Sequence, residues 1–444
     1  MTGEWAGTIL GELIKAGDAH LQTGPFGTAL KAAEYSAEGV PLISVGEVRQ
    51  GHFEVSDKTP RVSKETTKRL PKFILEIGDI VFGRKGGIDR NAIVHPQQQG
   101  WFLGSDGIRL RLSEKYSSLF FSYQMRSPAT RAWLLQNCEG TTMPSLNQQI
   151  LGRVPIVLPP ITEQKAIAHI LGALDNKIEL NRRMNVTLEA MARALFQSWF
   201  VDFDPVRAKL DGCEPARLDA YTAALFPAYF QDSPLGHIPQ GWEISTIGTK
   251  LSTVLGGTPS REKPEYWTGG TVAWINSGKT NEFRITAPSE MITREALENS
   301  STKLLPRRTT VLAITGATLG QVSITEIECC ANQSVVAIPA SEEFPTEFIY
   351  PWIQENIEKL ISSQTGGAQQ HINKGNVNEL VLLCPDHQVM NAYLTKAKPL
   401  FDQIAANCFQ SRTLATLRDA LLPKLVSGEL RTRPSTTLVQ GEAF

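Results

Sequence analysis

The 444-residue sequence lacks any apolar run long enough to span a membrane, and its first residues lack the basic start and apolar stretch of a secretion signal. Its six cysteines show no CxxC spacing and have no histidine partner nearby, which argues against a disulfide framework and a zinc site. Hydrophobic residues make up 41% and charged residues 20%, as in ordinary globular proteins. These features predict a soluble, cytoplasmic protein with reduced thiols.

An excess of positive charge is also missing. The net charge is −1, and residues 1–160 hold 18 Lys and Arg against 15 Asp and Glu, whereas residues 241–386 hold 11 against 16. A DNA-binding protein neutralises phosphates. A nucleic-acid role would therefore require a local basic face or charge supplied by a partner protein, and charge alone does not indicate it.

Motifs of catalysis are absent or incomplete. The nearest approach to the [DN]PP[YF] motif of adenine methyltransferases is LPPI at 158–161, which lacks the polar and aromatic residues. The glycine-rich segments 84–87 and 315–320 do not fit a nucleotide-binding loop. The ExK of Glu163 and Lys165 has no partner aspartate, and no HxxxH, HExxH or GxSxG is present. The sequence predicts a chain without a catalytic site, a metal site or a cofactor of its own.

What the sequence does contain is an internal repeat. Four features of the first half recur in the same order in the second half, at an offset of 226–237 residues. The matched pairs are Trp5 and Trp242, GVPLISVGEVRQG (39–51) and GTVAWINSGKTNEF (270–283), GDIVFGRKGGIDRNAIV (78–94) and RTTVLAITGATLGQVSI (308–324), and EGTTMPSLNQQILGRVPIVLPP (139–160) and TGGAQQHINKGNVNELVLLCPD (365–386). Four matches in one order indicate a duplication.

Each copy combines about 150 residues of short β-like runs, broken by Gly and Pro, with one long helical segment that follows them. The second helical segment is predicted to stop at Pro423. The pattern predicts an α+β fold of two duplicated mixed α/β domains separated by a long helix pair. The predicted boundaries are 1–160 for the first domain, 161–200 for the central helix, 201–240 for a connector, 241–386 for the second domain, 387–431 for the C-terminal helical region and 432–444 for a tail.

The long helical segments carry the 3.5-residue repeat of a coiled coil. In the first, the repeating positions are Ile167, Leu171, Leu174, Ile178, Asn181, Asn185, Leu188, Ala192, Leu195 and Trp199. The 226-residue offset places Asn407 and Ser411 at the positions of Asn181 and Asn185. Matched polar residues in the seam favour pairing and a fixed register. Because a domain lies between the helices, we predict an antiparallel pair; the alternative is two separate amphipathic helices, each packed on its own domain.

Such a helix pair would set the distance between the two domains. A helix of about 38 residues is roughly 57 Å long at about 1.5 Å per residue. At about 3.4 Å per base pair, this caps the separation of two DNA elements near roughly 17 base pairs. Two related domains on a rigid spacer suit a target with two separated elements.

Three segments of the chain resemble the conserved regions of type I restriction-modification specificity subunits. They are TEQKAIAHILGALDNKIELNRRMNVTLEAMARALFQSWFVDFDPVR (162–207), LFPAYF with LGHIPQGW (225–230 and 235–242), and LRDALLPKLVSGELR (417–431). With the repeat, the resemblance covers nearly the whole chain. The second helix has no Gln-Lys pair matching Gln164 and Lys165, so the two conserved regions are not interchangeable copies.

The resemblance implies that each domain is a target-recognition domain that reads one half of a bipartite, asymmetric double-stranded DNA site. It implies that the paired helices act as the spacer and that two DNA methylation subunits dock on the conserved regions. It also implies that restriction and translocation subunits complete the complex. S-adenosylmethionine, ATP and Mg²⁺ are expected only in those partner subunits, and this chain is expected to be non-catalytic.

Base reading requires side chains that donate and accept hydrogen bonds, and phosphate contacts use Arg, Lys and backbone amides. These residue types cluster at equivalent places in the two copies but differ in chemistry, as expected for readers of different half-sites. In the first copy the candidates are Arg49, Gln50, His52, Arg84, Lys85, Arg90, Thr141, Thr142 and Asn147. In the second copy they are Trp274, Asn276, Ser277, Lys279, Thr280, Gln369, Gln370, His371, Asn373 and Lys374.

Two other functions remain open on the sequence alone. One is a stand-alone DNA methyltransferase or nuclease, against which the missing motifs speak. The other is a coiled-coil scaffold that binds only proteins. Each candidate residue above also has a plain alternative as a solvated loop side chain.

Overall fold

The computed structural model describes residues 5–140, 142–362 and 371–432. The chain forms two compact units. The first unit comprises Met1–Ile178 with Thr413–Phe444, and the second comprises Glu179–Arg412. None of the helices in the described parts of the chain combines the length and the apolar character needed to span a membrane.

The first unit contains short strands with helices between and after them. Its strands are β1 (Ala6–Ile9), β2 (Ala19–Thr23), β3 (Tyr35–Ser36), β4 (Val40–Ile43), β5 (Arg61–Val62), β6 (Ile80–Gly83), β7 (Asn91–Ile93), β8 (Phe102–Leu103), β9 (Gly107–Leu112) and β10 (Pro155–Leu158). Its helices are α1 (Leu10–Lys15), α2 (Lys64–Arg69), α3 (Ser118–Arg126), α4 (Pro128–Asn137) and α5 (Gln148–Gly152). Helix α6 (Ile161–Phe200) begins in this unit and ends in the second.

The second unit repeats this arrangement after a connector. Its strands are β11 (Phe230–Ser233), β12 (Gly236–Pro239), β13 (Glu243–Thr246), β14 (Val254–Leu255), β15 (Val272–Ile275), β16 (Glu290–Ile292), β17 (Thr309–Ala313), β18 (Val322–Thr325), β19 (Cys330–Ala331), β20 (Val335–Ile338) and β21 (Val381–Cys384). Its helices are α7 (Asp204–Leu210), α8 (Ala220–Ala224), α9 (Ile247–Lys250), α10 (Arg294–Glu298), α11 (Thr346–Ser362) and α12 (Lys374–Glu379). Helix α13 (His387–Ser427) begins here and ends in the first unit.

The main sheets of the two units have the same strand order. The first unit has an antiparallel sheet in the order β2-β9-β6-β7, and the second has β14-β20-β17-β18. The pair β1-β10 corresponds to β13-β21. In a further sheet of each unit, β4 pairs in parallel with β8, and β15 pairs in parallel with β19. The sequence repeat is therefore a structural duplication, and the predicted α+β fold with two related domains is confirmed.

The long helices pair in antiparallel fashion within each unit, as predicted. In the second unit, Asn181 lies opposite Ser411 and Asn185 lies opposite Asn407, so position numbers rise on α6 as they fall on α13. In the first unit, Glu163 contacts Arg431 and Asp175 contacts Arg418, with the same sense. The heptad positions supply buried residues of this seam, including Leu171 and Ala192.

One predicted helix end is wrong. Helix α13 does not stop at Pro423 but continues to Ser427. A proline inside a helix removes a backbone hydrogen bond and costs about 3 kcal/mol. Packing outweighs this cost, because Leu422, Leu425 and Val426 are buried in the core of the first unit.

The connector is an ordered part of the second unit. Phe203, Phe226 and Ile238 lie in the same buried cluster as Trp199 and Trp242. The rings of Trp199 and Phe226 meet edge to face with centroids 5.0 Å apart, a favoured aromatic geometry. The aromatic residues of the connector thus bind the end of α6 to the start of the second domain.

Candidate nucleic-acid interface

Three loops of the first unit converge on one surface, which we call the first reading surface: residues 49–52, 84–90 and 142–147. The first two loops meet where Gln50 Nε2 donates to the carbonyl of Asp89 at 2.9 Å. The second and third meet where the amide of Gly86 donates to the carbonyl of Pro144 at 2.9 Å and the amide of Leu146 donates to the carbonyl of Arg84 at 2.8 Å. The structure therefore brings together candidates that are nearly 100 residues apart in sequence.

The candidate residues on the first reading surface differ in solvent exposure and in the partners that they already contact. His52, Lys85, Arg90 and Thr142 are exposed. Lys85 Nζ lies 3.5 Å from Oδ1 of Asp106, and both side chains are partly exposed to solvent.

Other candidates of this copy have local partners. Arg49 is engaged by Glu54, with Nε 2.7 Å from Oε2, and by the carbonyl of Gly46. Thr141 lies outside the described residues.

Asn147 and Asn373 occupy equivalent structural positions. Asn147 caps α5 by accepting from the amide of Ile150 at 2.8 Å, and Asn373 caps α12 by accepting from the amide of Asn376 at 3.0 Å. A capping Asn stabilises a helix by about 1 kcal/mol relative to Ala. The cap explains why both copies carry Asn at an offset of 226 residues, while a contact with DNA stays a prediction for both.

The second unit forms the corresponding second reading surface from residues 276–281, 315–321 and 371–374. The amide of Ile372 donates to the carbonyl of Ile314 at 3.0 Å, which places the third segment beside the second. Thr280 Oγ1 lies 3.4 Å from Gln321 Oε1 and links the first segment to the second. Gln369 and Gln370 lie outside the described residues.

The side chains of two candidates of the second copy are buried and are not exposed on this surface. Trp274 is only 3% exposed and donates its indole N–H to the carbonyl of Gly257 at 3.1 Å. Thr280 is equally buried and donates to the carbonyl of Ser277. Trp274 points into the fold because alternate residues of strand β15 face opposite sides. Thr280 lies in a short 3-10 helix after that strand, and its hydroxyl is bound within the helix. We correct the expectation that they are available to bases.

The remaining candidates of the second copy lie at the surface. Asn276 is exposed, although its side chain accepts from the amide of Gly278 at 2.9 Å. Lys279 pairs with Glu282 at 2.6 Å, and His371 is exposed. Ser277 and Lys374 are half-buried.

The four polar seam residues form one hydrogen-bonded group in the second unit. Asn181 Nδ2 donates to Ser411 Oγ at 3.2 Å and to Gln410 Oε1 at 2.8 Å. Asn407 Nδ2 donates to Asn185 Oδ1 at 2.9 Å. Partnered polar groups of this kind oppose slippage, since any shift of one helix would leave buried amides without partners. That they fix the register stays a prediction.

Each domain is also held to α6 by a group that the sequence did not reveal. In the first unit, Asp175 on α6 accepts from the hydroxyl of Tyr123 at 2.7 Å and lies 3.4 Å from Arg126 Nη1. The guanidinium of Arg126 lies over the ring of Tyr123, 4.2 Å from its centroid. Burial raises the pKa of Asp175, but Arg126 and Arg418 outweigh it, so the pKa lies below its ordinary value.

In the second unit the corresponding group is Glu189, Arg284 and Tyr350. Arg284 Nη2 donates to Glu189 Oε2 at 2.8 Å, and its guanidinium lies 4.8 Å from the centroid of Tyr350. Burial lowers the pKa of Arg284, but Tyr350 and Glu189 outweigh it, so the pKa is raised and the side chain is charged. Tyr123 and Tyr350 are 227 residues apart, close to the repeat offset. This spacing is the signal in the sequence that could have pointed to the two groups. The two arginines come from different chain positions and could not be aligned.

Comparison with known proteins agrees with this duplicated architecture. The sequence model described as "Type I restriction modification DNA specificity domain" matches residues 19–190 and 239–391, one match for each copy of the repeat. The matches cover more than half of the chain, so the chain belongs to this family. It is a type I restriction-modification specificity subunit with two target-recognition domains, and the resemblance noted in its conserved segments is confirmed.

Individual relatives extend over most of the chain. The type I restriction enzyme HindI specificity subunit of Haemophilus influenzae is 27% identical over 333 residues, covering 65% of this chain and 72% of the relative. The MjaIX specificity subunit of Methanocaldococcus jannaschii is 25% identical over 410 residues, covering 90% and 89%. The crystal structure of the S subunit of the type I system from M. genitalium superposes with a TM-score of 0.57 at 16% identity, covering 96% and 97% of the two chains. That last likeness concerns the fold.

Proposed function

We propose that each domain reads one half of a bipartite, asymmetric DNA site and that the antiparallel helices act as the spacer between them. The observation that carries this proposal is the duplicated topology with different loop chemistry. Equivalent loops form the first and second reading surfaces, but one presents Lys85 and Arg90 while the other presents Asn276 and His371. One scaffold with two different surfaces is suited to two different half-sites.

We further propose that the chain is a non-catalytic reader. Methyl transfer from S-adenosylmethionine would take place in two methylation subunits, and ATP- and Mg²⁺-dependent work in restriction subunits. The named relatives are specificity subunits of restriction enzymes, which supports assembly with such partners. Within the second unit, Leu180, Met184 and Met191 of α6 leave apolar surface exposed, and exposed apolar helix faces favour protein contacts. These residues are candidates for the docking surface.

The proposal is tested by expressing the chain with its methylation subunit and mapping methylated adenines in the host DNA. We expect one two-part motif with an unspecified gap, and protection of a duplex carrying it. Methylation or cleavage by the purified chain alone would establish an enzyme instead. Assembly with the partner but no protection of any duplex would establish a scaffold that binds only proteins.

Replacing Arg84 and Lys85 with glutamine is expected to weaken DNA binding by the assembled complex. Each lost phosphate contact lowers the magnitude of the slope of log K against log salt by about 0.9, so the double change lowers it by up to about 2. Binding is measured by anisotropy over a salt series. Lys115→Gln is the control, because Lys115 follows β9 and pairs with Asp18 at the end of the strand away from Asp106. An unchanged slope in the double variant would exclude these two side chains from the interface.

A further inference from the structure

A large aromatic side chain lies exposed beside the first reading surface. Phe26 is 51% exposed in the segment that follows β2. Because about half of its surface faces solvent, Phe26 gains only part of the stabilisation that burial of a phenylalanine side chain provides. Single exposed apolar residues are common, so exposure alone indicates nothing. The backbone and the neighbours of Phe26 supply the further evidence.

The turn that carries Phe26 is fixed by backbone contacts. The amide of Gly24 donates to the carbonyl of Gly107 at 3.1 Å. A Cβ on Gly24 would lie 1.8 Å from the carbonyl oxygen of Gly104, so no other residue fits there. On the other side, Gly27 adopts a φ of 54°, a left-handed conformation that favours glycine. Phe26 is therefore held outward by a turn with little freedom to fold it back.

The neighbour of the Phe26 ring is a cation of the first reading surface. The guanidinium of Arg84 lies 4.2 Å from the ring centroid and also donates to the carbonyl of Ser105 at 3.3 Å. Arg84 precedes Lys85, whose side chain is 47% exposed. The aromatic ring and two positive charges therefore occupy one place on the surface.

A second apolar side chain lies on the same surface. Met143 is 58% exposed in the loop 142–147, which is attached to the Arg84 loop at Gly86. Gly140 has a φ of 88°, and a Cβ on it would lie 2.5 Å from the carbonyl oxygen of Met143. This close contact constrains the backbone of Met143, whose side chain is exposed. Two exposed apolar side chains border a basic pair.

We propose that Phe26 and Met143 are wedge residues that insert against the base stack of the half-site read by the first domain. Proteins that kink DNA combine inserted Phe or Met side chains with Arg and Lys contacts to the backbone. The positive charge of Arg84 and Lys85 favours a polyanion over an apolar protein partner. This inference rests on the proposed function and adds that the first half-site is deformed as it is read.

The test uses the assembled complex and a duplex that carries the motif found by methylation mapping. Stacking contributes about 1–3 kcal/mol per base, so Phe26→Ala is expected to raise Kd by about fivefold or more. Met143→Ala is expected to act in the same direction, and Phe26→Trp to retain binding. Ile77→Ala is the matched control, because Ile77 is 49% exposed and precedes β6, at the end of that strand away from Arg84.

A second readout detects unstacking directly. A 2-aminopurine placed at successive positions of the first half-site is expected to brighten at one step when the wild-type complex binds, and to stay quenched with Phe26→Ala. Wild-type affinity and unchanged fluorescence in Phe26→Ala would overturn the wedge while leaving the reading function in place. If the wild-type complex bound no duplex, the proposed function would fail first. Loss of binding to the methylation subunit, with DNA binding intact, would identify a protein contact instead.

Discussion

Replacing Glu189 with alanine is expected to lower the free energy of unfolding of the second unit by about 3–5 kcal/mol, the usual cost of leaving a buried charge without its partner. The side chain of Arg284 has no exposed surface, and Glu189 is its carboxylate partner at 2.8 Å. Its other hydrogen bonds go to neutral groups, the carbonyl of Phe283 and the hydroxyl of Tyr350, and the more distant carboxylate of Glu326 also helps to raise its pKa. Because the guanidinium remains charged, losing the carboxylate leaves that charge buried.

The loss is measured by urea denaturation followed by circular dichroism and tryptophan fluorescence. Glu179→Ala is the control on the same helix, since Glu179 pairs with exposed Arg182 and Arg183, and surface pairs contribute about 0–1 kcal/mol. Combining Glu189→Ala with Arg284→Met is expected to recover part of the loss, because the double variant buries no unpaired charge. Equal stability of Glu189→Ala and Glu179→Ala would show that the buried pair does not hold the domain to α6.

Replacing Asp175 with alanine is expected to destabilise the first unit by a similar amount, about 3 kcal/mol or more. The carboxylate of Asp175 accepts hydrogen bonds from Arg418 Nη1 at 2.7 Å and from the hydroxyl of Tyr123. It also neutralises Arg126, whose side chain is 7% exposed. The change removes a contact between the domain and α6 and a contact between α6 and α13 at once. Differential hydrogen exchange should locate the loss in residues of the first unit and leave the second unchanged.

The pH dependence provides an independent check on Asp175. Its pKa is depressed in the folded protein, so its contribution to stability is present above the ordinary value of 3.8 and is lost as pH falls through the lower folded value. The difference in unfolding free energy between wild type and Asp175→Asn should therefore be constant near neutral pH and shrink below about pH 4. A difference that grew on acidification would contradict this assignment.

The architecture of this chain could be predicted from its sequence because the sequence contains an internal repeat. The repeat aligned β6 with β17 and Asn147 with Asn373, and the structure gives both copies the same sheet order. The seam was readable because heptad spacing depends only on helix geometry. Two polar residues at matched positions then indicated that α6 and α13 pair with each other.

Other features depend on tertiary contacts that local patterns do not encode. Trp274 has the residue type of a base-stacking side chain, but the strand places it in the core against the carbonyl of Gly257. Proline usually ends a helix, but α13 continues past Pro423. Leu425 and Val426, in the turn after it, are buried in the core of the first unit. Arg126 and Arg284 perform similar tasks from unrelated positions, so no alignment of the copies could reveal them.

The sequence predicted which loops come together better than it predicted which single side chains are available on the reading surfaces. The loops at 49–52, 84–90 and 142–147 do converge, and hydrogen bonds between them join them. Which side chains remain free depends on partners such as Glu54 for Arg49 and Glu282 for Lys279. Phe26 was missed because an apolar residue beside glycines resembles any turn, and only the structure shows its contact with Arg84.

The central claim, that each domain reads its own half-site, is tested most directly by exchanging residues 1–160 for the first domain of a relative and mapping the methylated motif again. The exchanged segment should keep a hydroxyl and a guanidinium at the positions of Tyr123 and Arg126, which contact Asp175 on α6. We predict that one half of the motif changes while the other half and the gap stay as they were. Retention of the whole original motif, or replacement of both halves together, would contradict the account.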